Sequence, residues 1–159
     1  MKIFKFVLVA HLVAFGLIAC KNKGAQSEAE GTSAETQLNE PERVKVQHIL
    51  IAFKGTLPGQ NVERSADDAK KLAMEVFEKA KAKDADFEAL VKQYSEDRPP
   101  GVYEMTNSGV QATAGAFPRE GMVPAFGNVG FKLKVGEVGI AEFDPQTSPF
   151  GYHIIKRLN

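Results

Sequence analysis

The sequence predicts one α+β domain of order β-α-α-β-α-β-β, running from about residue 42 to residue 159. Three observations point to it. Two short β-branched runs stand near its ends, Val46-Gln47-His48-Ile49-Leu50 and Phe150-Gly151-Tyr152-His153-Ile154-Ile155, each with a histidine inside it. Between them lie two segments with apolar residues at helical spacing. Pro99-Pro100-Gly101 closes the second helix, and shorter apolar runs broken by glycine and proline follow.

Each element has its own local reason. Val44 to Phe53 is β-branched and apolar, with Lys45 and Gln47 alternating early, and reads as a strand. Gly55 to Arg64, containing Pro58-Gly59, is a loop. Ser65-Ala66-Asp67-Asp68 resembles a capping box with Asp in place of Glu. From Ala66 the spacing of Ala69, Leu72, Ala73, Val76, Phe77 and Ala80 predicts a helix to about Lys83. Asp86 is placed to cap a second helix, with Phe87, Leu90, Val91 and Tyr94 on one face. Residues 101–113 read as loop and Ala114 to Phe117 as a short strand. Val123 to Leu133 reads as a helix, although Gly127 and Gly130 each cost about 1 kcal/mol relative to Ala. Val138 to Phe143 and Gly151 to Leu158 read as closing strands, joined through Asp144-Pro145.

The N-terminal 41 residues are of two kinds. Lys2 and Lys5 precede an apolar run from Phe6 to Ala19. That run is too short for the roughly 20 helical residues that span a bilayer, and its charged start and small terminal residues describe a secretory signal over residues 1–19. Leu17-Ile18-Ala19-Cys20 looks like the lipobox of bacterial lipoproteins, which makes Cys20, the lone cysteine, the expected lipidation site. Residues 20–41 then form a tether. Lys21 to Glu40 is rich in Gly, Ser, Thr, Ala, Glu, Gln and Asn, with Leu38 its single large apolar residue. Such a stretch buries too little apolar surface to offset its ordering entropy, and twenty flexible residues reach on the order of 25 Å.

Composition excludes several functions. Lys2 and Lys5 leave with the signal and no acidic residue does, so 20 basic against 20 acidic residues become 18 against 20. A nucleic-acid groove needs a basic excess, and none is present. One cysteine allows no internal disulfide. A hydrophobic fraction of 43% suits a domain that builds its own core. With no phosphate-cradling glycine loop and no zinc-spaced Cys/His set, neither a metal nor any other cofactor is expected.

From Val44 to Leu158 the chain resembles the parvulin peptidyl-prolyl cis/trans isomerases. Six pieces in order carry the resemblance: His48-Ile49-Leu50; Phe87 to Asp97, ending Tyr94-Ser95-Glu96-Asp97; Gly115-Ala116-Phe117; Gly121-Met122-Val123-Pro124-Ala125-Phe126; Leu133 to Val138; and Phe150 to Lys156. The resemblance implies an FKBP-like fold, a four-stranded antiparallel sheet surrounded by helices. It also implies a reaction without bond cleavage, rotation about an X-Pro amide.

On that resemblance, His48 and His153 are a hydrogen-bonded pair beneath the amide, and Asp97 takes the position near the rotating carbonyl. Met122 and Phe126 meet the substrate proline ring; four apart, they would share one face of a helix. Ser148 falls where many parvulins have a threonine near the histidines. Two departures stand out. Ala114 occupies the place of a leucine that walls the proline pocket, and Arg98 to Val110 is longer than usual and contains Val102, Tyr103 and Met105. Ala52 replaces a lysine of phosphate-directed relatives, and the following loop has only Lys54 and Arg64, so no phosphate preference is expected.

The reading is an extracytoplasmic, lipid-anchored isomerase acting on X-Pro bonds of unfolded or newly exported proteins. Lys21 rather than Asp follows Cys20, which favours the outer membrane where an envelope has two. Two alternatives stay open at this point: a parvulin-fold binding module with little catalysis, and a structural envelope lipoprotein.

Overall fold

The computed structural model describes residues 40–159. His11, Cys20, the signal and the tether as far as residue 39 lie outside the described residues. A five-stranded sheet is packed between helices on its two faces.

Strand β1 (Arg43–Ile51) is the centre of the sheet, and most of its side chains are buried on both faces. Strand β5 (Tyr152–Arg157) lies antiparallel on one side of it and pairs on its far side with β4 (Val138–Ala141). On the other side of β1 runs an antiparallel strand, β2 (Val102–Thr106), followed by β3 (Ala116–Pro118), parallel to β2. The order is β3-β2-β1-β5-β4.

Strand β2 corrects the expected sheet. It falls in the stretch read as loop, so there are five strands rather than four, and the β2–β3 pair makes the sheet mixed rather than wholly antiparallel. The physical reason is the exposed side of β1. Its buried backbone groups require partners, and Val102-Tyr103-Glu104-Met105-Thr106 supplies them with strand-forming residues. Val44 pairs with Met105 and Val46 with Tyr103.

Helices α1 (Ala66–Lys81) and α2 (Phe87–Tyr94) cover one face. Ser65 caps α1, its hydroxyl oxygen accepting from the Asp68 amide at 3.1 Å, and Asp86 caps α2, accepting from the Ala89 amide at 3.0 Å. Ala69, Ala73, Val76 and Ala80 form the buried stripe of α1, packed with Phe87 and Val91 of α2 on Ile49, Ile51, Tyr152 and Ile154. The alanines allow the helix axis close to the sheet.

The opposite face belongs to α3 (Pro124–Lys132), which opens with Pro124 in the first turn, where its missing N–H leaves no bond unmade. Phe126 and Phe131 pack there on Val44, Val46, Met105 and Ile155. The glycine expected to weaken this helix has a packing reason: a Cβ on Gly130 would stand 2.9 Å from Met105 Cε and 3.5 Å from Val46 Cγ1. A single turn of 3-10 helix, Arg119–Gly121, leads into α3.

The folded part also takes in Glu40 and Pro41, which the sequence assigned to the tether. The Glu40 carboxylate is buried against the Arg119 guanidinium, which also donates to Asn107 Oδ1 at 2.8 Å. Asn107 in turn donates to Pro41 O at 3.1 Å, and its amide to Glu42 O at 2.8 Å.

Candidate active site

His48 on β1 and His153 on β5 point to the α3 face. They are diagonal rather than opposite, because His48 pairs with Ile155 and Leu50 with His153. The offset stacks the rings, with centroids 5.4 Å apart and planes inclined by 18°, and brings the two Nδ1 atoms to 3.2 Å. Both residues are buried.

Asp97 is brought to them by the segment after α2, which is laced onto the end of β1. The Leu50 amide donates to Ser95 Oγ at 3.1 Å, the Glu96 amide to Leu50 O at 2.9 Å, and the Ala52 amide to Glu96 Oε2 at 3.0 Å. Tyr94-Ser95-Glu96-Asp97 is thus a structural clip whose last residue reaches the histidines. Asp97 Oδ2 lies 2.8 Å from His48 Nε2 and accepts the Tyr103 hydroxyl at 2.8 Å.

With both imidazoles neutral, one pair of tautomers satisfies these contacts. The His48 Nε2–H donates to the Asp97 carboxylate. His48 Nδ1 is then a bare acceptor for the His153 Nδ1–H, and His153 Nε2 carries no proton. That last nitrogen is buried and has no hydrogen-bond partner among the described residues. Burial, followed by electrostatic repulsion from the neighbouring His48 imidazole, pushes the His153 imidazole down to about 3, against the opposing pull of Asp97. The Asp97 carboxyl is held well below the usual carboxylate range, chiefly by His48 and also by the Tyr103 hydroxyl, despite its partial burial.

Above this network opens an apolar cleft of about 270 Å³. That lies just below the ~300–1,000 Å³ of pockets for drug-sized ligands, a size for one or two residues of a peptide. Asp97 and the histidines form its floor, Met122, Phe126 and Tyr103 its walls, and Leu57 and Phe150 its rim. Phe126 meets both imidazoles edge-on, with centroids 5.0 Å from His48 and 5.5 Å from His153. Tyr103 meets His48 edge-on at 5.3 Å and continues outward to the exposed Phe117 ring at 5.8 Å.

Comparison with known proteins identifies the arrangement. A family model described as the PPIC-type PPIase domain matches residues 31–159, most of the chain. The chain belongs to this parvulin family of peptidyl-prolyl isomerases. It is 34% identical over 116 residues to the foldase protein PrsA of Bacillus subtilis, an alignment covering 72% of this chain and 30% of that one. It is 44% identical over 114 residues to foldase protein PrsA of Geobacillus kaustophilus, with 72% and 31% covered. Foldase protein PrsA 4 of Bacillus cereus is 32% identical over 149 residues, with 85% and 47% covered. The chain therefore spans less than half the length of these curated relatives. Two solved structures share the fold. Peptidyl-prolyl isomerase ESS1 from Candida albicans superposes with a TM-score of 0.58 at 20% identity, covering 80% of this chain and 72% of that one. TbPIN1, a solution structure, gives 0.54 at 22% identity, covering 74% and 98%.

Against the parvulin pattern, the site residues expected from sequence fall into two groups. His48, His153, Asp97, Met122 and Phe126 converge on the cleft. Met122, however, is not on the helix. It has extended backbone ahead of Pro124 and reaches the cleft from the turn that leads into α3. Ser148 does not join the histidine network; its buried hydroxyl donates to Gly151 O at 2.9 Å and secures the bend before β5. Ala114 is exposed in a turn outside the cleft lining. Ala114 does not stand where a walling leucine would; Tyr103 from β2 lines the cleft. In the sequence Tyr103 reads only as one apolar residue of a long loop. Its two-residue spacing from Met105, which puts both side chains on the α3 face, is the available signal, hidden by the Pro99-Pro100-Gly101 break beside it.

Proposed function

We propose that the domain catalyses cis/trans isomerisation of X-Pro bonds in unfolded or newly exported proteins, without a preference for phosphorylated substrates. The observation that supports this best is the apolar cleft with Met122 and Phe126 on its walls and the Asp97–His48–His153 chain as its floor. An amide resists rotation by about 18–20 kcal/mol because of its partial double-bond character. Rotation breaks no covalent bond, so a catalyst need only bind the twisted amide better than either planar form. The twisted amide is less delocalised and less polar. A cleft that seats the proline ring among apolar side chains favours it, and an ionised Asp97 beside the carbonyl disfavours the planar, charge-separated form. In this reading the histidines satisfy one another and Asp97, and shape the floor rather than transfer protons to the amide.

Absence of a phosphate preference is supported by how the nearby cations are used. Arg64 is paired with Glu96 at 3.0 Å and donates to Ala52 O at 2.7 Å, and Lys54 lies 3.8 Å from Glu63. A phosphate would need bidentate arginine or clustered lysine free to receive it. Leu57 and Phe150 at the rim suit an apolar residue before the proline instead. In a protease-coupled assay on short peptides with X varied, apolar X-Pro is expected to isomerise at least as fast as Glu-Pro or phosphoserine-Pro. Met122→Ala, at a half-buried position outside the helices, should lower kcat/KM by about tenfold, consistent with roughly 1.5–3 kcal/mol for a fully buried apolar side chain, while the fold persists. A clear preference for phosphopeptides overturns the specificity. No acceleration by folded protein that still binds unfolded chains would make it a binding module.

Attachment to the envelope by lipid on Cys20 is part of the same proposal, with the outer membrane as its site where there are two. Its support is Leu17-Ile18-Ala19-Cys20 after a charged start and short apolar run. Cys20→Ser is expected to leave the precursor uncleaved and without radiolabelled fatty acid; label in the mutant would remove the anchor from the proposal.

A further inference from the structure

We propose that Tyr103 is a positioning residue of this site: its hydroxyl holds the Asp97 carboxylate in the orientation that also engages His48, while its ring walls the cleft. The inference rests on the isomerase reading and deepens it.

Of the three groups on the floor, Asp97 is the one not built on the sheet. It follows α2 on a clip, and its side chain is 29% exposed, so water competes for the carboxylate. His48 and the backbone amide of Arg98, its sequence neighbour, also donate to it, but neither reaches it from β2. Tyr103 adds a second side-chain donor fixed on another strand, its hydroxyl and His48 Nε2 converging on the same oxygen, Oδ2, each at 2.8 Å. Tyr103 is itself firmly placed. Its backbone is in register with Val46, two residues from His48 on the same strand, and Met105, two residues on, is fully buried. Its ring lies against His48 at 5.3 Å and Phe126 at 5.9 Å. The phenol is also suited to remain a donor, since burial and the Asp97 carboxylate push it up to about 12. The chain Tyr103–Asp97–His48–His153 thus spans β2, the clip, β1 and β5, and the strand that sequence did not reveal supplies its outer end.

Tyr103→Phe separates the two duties, because it keeps the ring and deletes the donor. Losing a donor that favours the ionised carboxylate raises the Asp97 pKa. The acid limb of the kcat/KM profile should therefore move to higher pH, with kcat lower by on the order of tenfold, as for a lost hydrogen bond to a charged group, and KM little changed. Carbon-13 NMR of the Asp97 carboxyl should show the same upward movement in titration, independent of any assay. Asp97→Asn keeps an acceptor oxygen but does not ionise, so adding Tyr103→Phe to it should produce no further shift of the profile. Far-ultraviolet and near-ultraviolet circular dichroism verify that each variant is folded. An unchanged Asp97 titration in Tyr103→Phe, with the acid limb where it was, overturns the proposal and leaves Tyr103 as wall only. If wild-type protein isomerises no X-Pro peptide, the functional reading fails, while the NMR titration still decides the Tyr103–Asp97 link.

Discussion

Gly151→Ala is expected to lower the melting temperature by roughly 10–20 °C and to disable the site in whatever remains folded. Gly151 has φ +134°, and a Cβ there would stand 2.3 Å from Ile51 O and 3.0 Å from Ala52 Cα. Those are backbone atoms, so no side chain can swing aside to make room. Strained dihedrals cost about 1–3 kcal/mol and forced overpacking about 1–3 more. The sum is a large part of the ~5–15 kcal/mol that stabilises a domain, and each kcal/mol is worth ~2–8 °C over the relevant range of domain sizes. The site suffers because Gly151 O receives the Ser148 hydroxyl and His153 begins two residues later on β5. Moving this bend moves the imidazole that must meet His48. Thermal unfolding followed by circular dichroism checks the first effect, and a fall of less than about 3 °C, under 1 kcal/mol by the same scaling, would mean that the Ile51–Ala52 backbone yields easily.

Acid should destabilise the domain from an unusually high pH because of His153. Burial holds its imidazole down to about 3, against an ordinary value of 6.5. In the unfolded chain that imidazole gains a proton below 6.5, whereas in the fold it stays neutral. The unfolded state therefore binds more protons, and stability falls with decreasing pH from 6.5 towards 3. The slope approaches 1.36 kcal/mol per pH unit, which amounts to roughly 2 kcal/mol between pH 6.5 and 5. Asp97, also lowered in the fold, acts in the same direction, but its contribution is lost only below its ordinary value of 3.8. Urea unfolding at pH 7, 6 and 5 measures the effect. His153→Gln, which does not titrate, should flatten the profile in this window, whatever its own stability. A wild-type profile already flat from pH 6.5 to 5 would show that His153 accepts a proton within the fold.

The sequence by itself determined the elements whose energies are local. Ser65 and Asp86 announce the starts of α1 and α2 because each satisfies an amide three residues ahead, and the alanine stripe of α1 follows from a 3.6-residue period. The β-branched runs around His48 and His153 marked the two central strands, and the order of six motifs carried the parvulin fold and the membership of His48, Asp97, Met122, Phe126 and His153 in one set. What only the tertiary structure decided depends on neighbours far away in the chain. Val102–Thr106 is a strand because β1 has an unpaired edge to fill, a demand that lies in residues 43–47 and not in its own. Met122 reaches the cleft from extended backbone rather than a helix face, since Pro124 sets where α3 begins. Ser148 turns its hydroxyl to Gly151 instead of the histidines, and Tyr103 rather than position 114 closes the wall. Caps and periodicity act within a few residues and can be read from them. The partner of a hydroxyl or a carboxylate is set by strand register and packing across the sheet, where 2.8 Å joins residues as distant in sequence as His48 and Asp97.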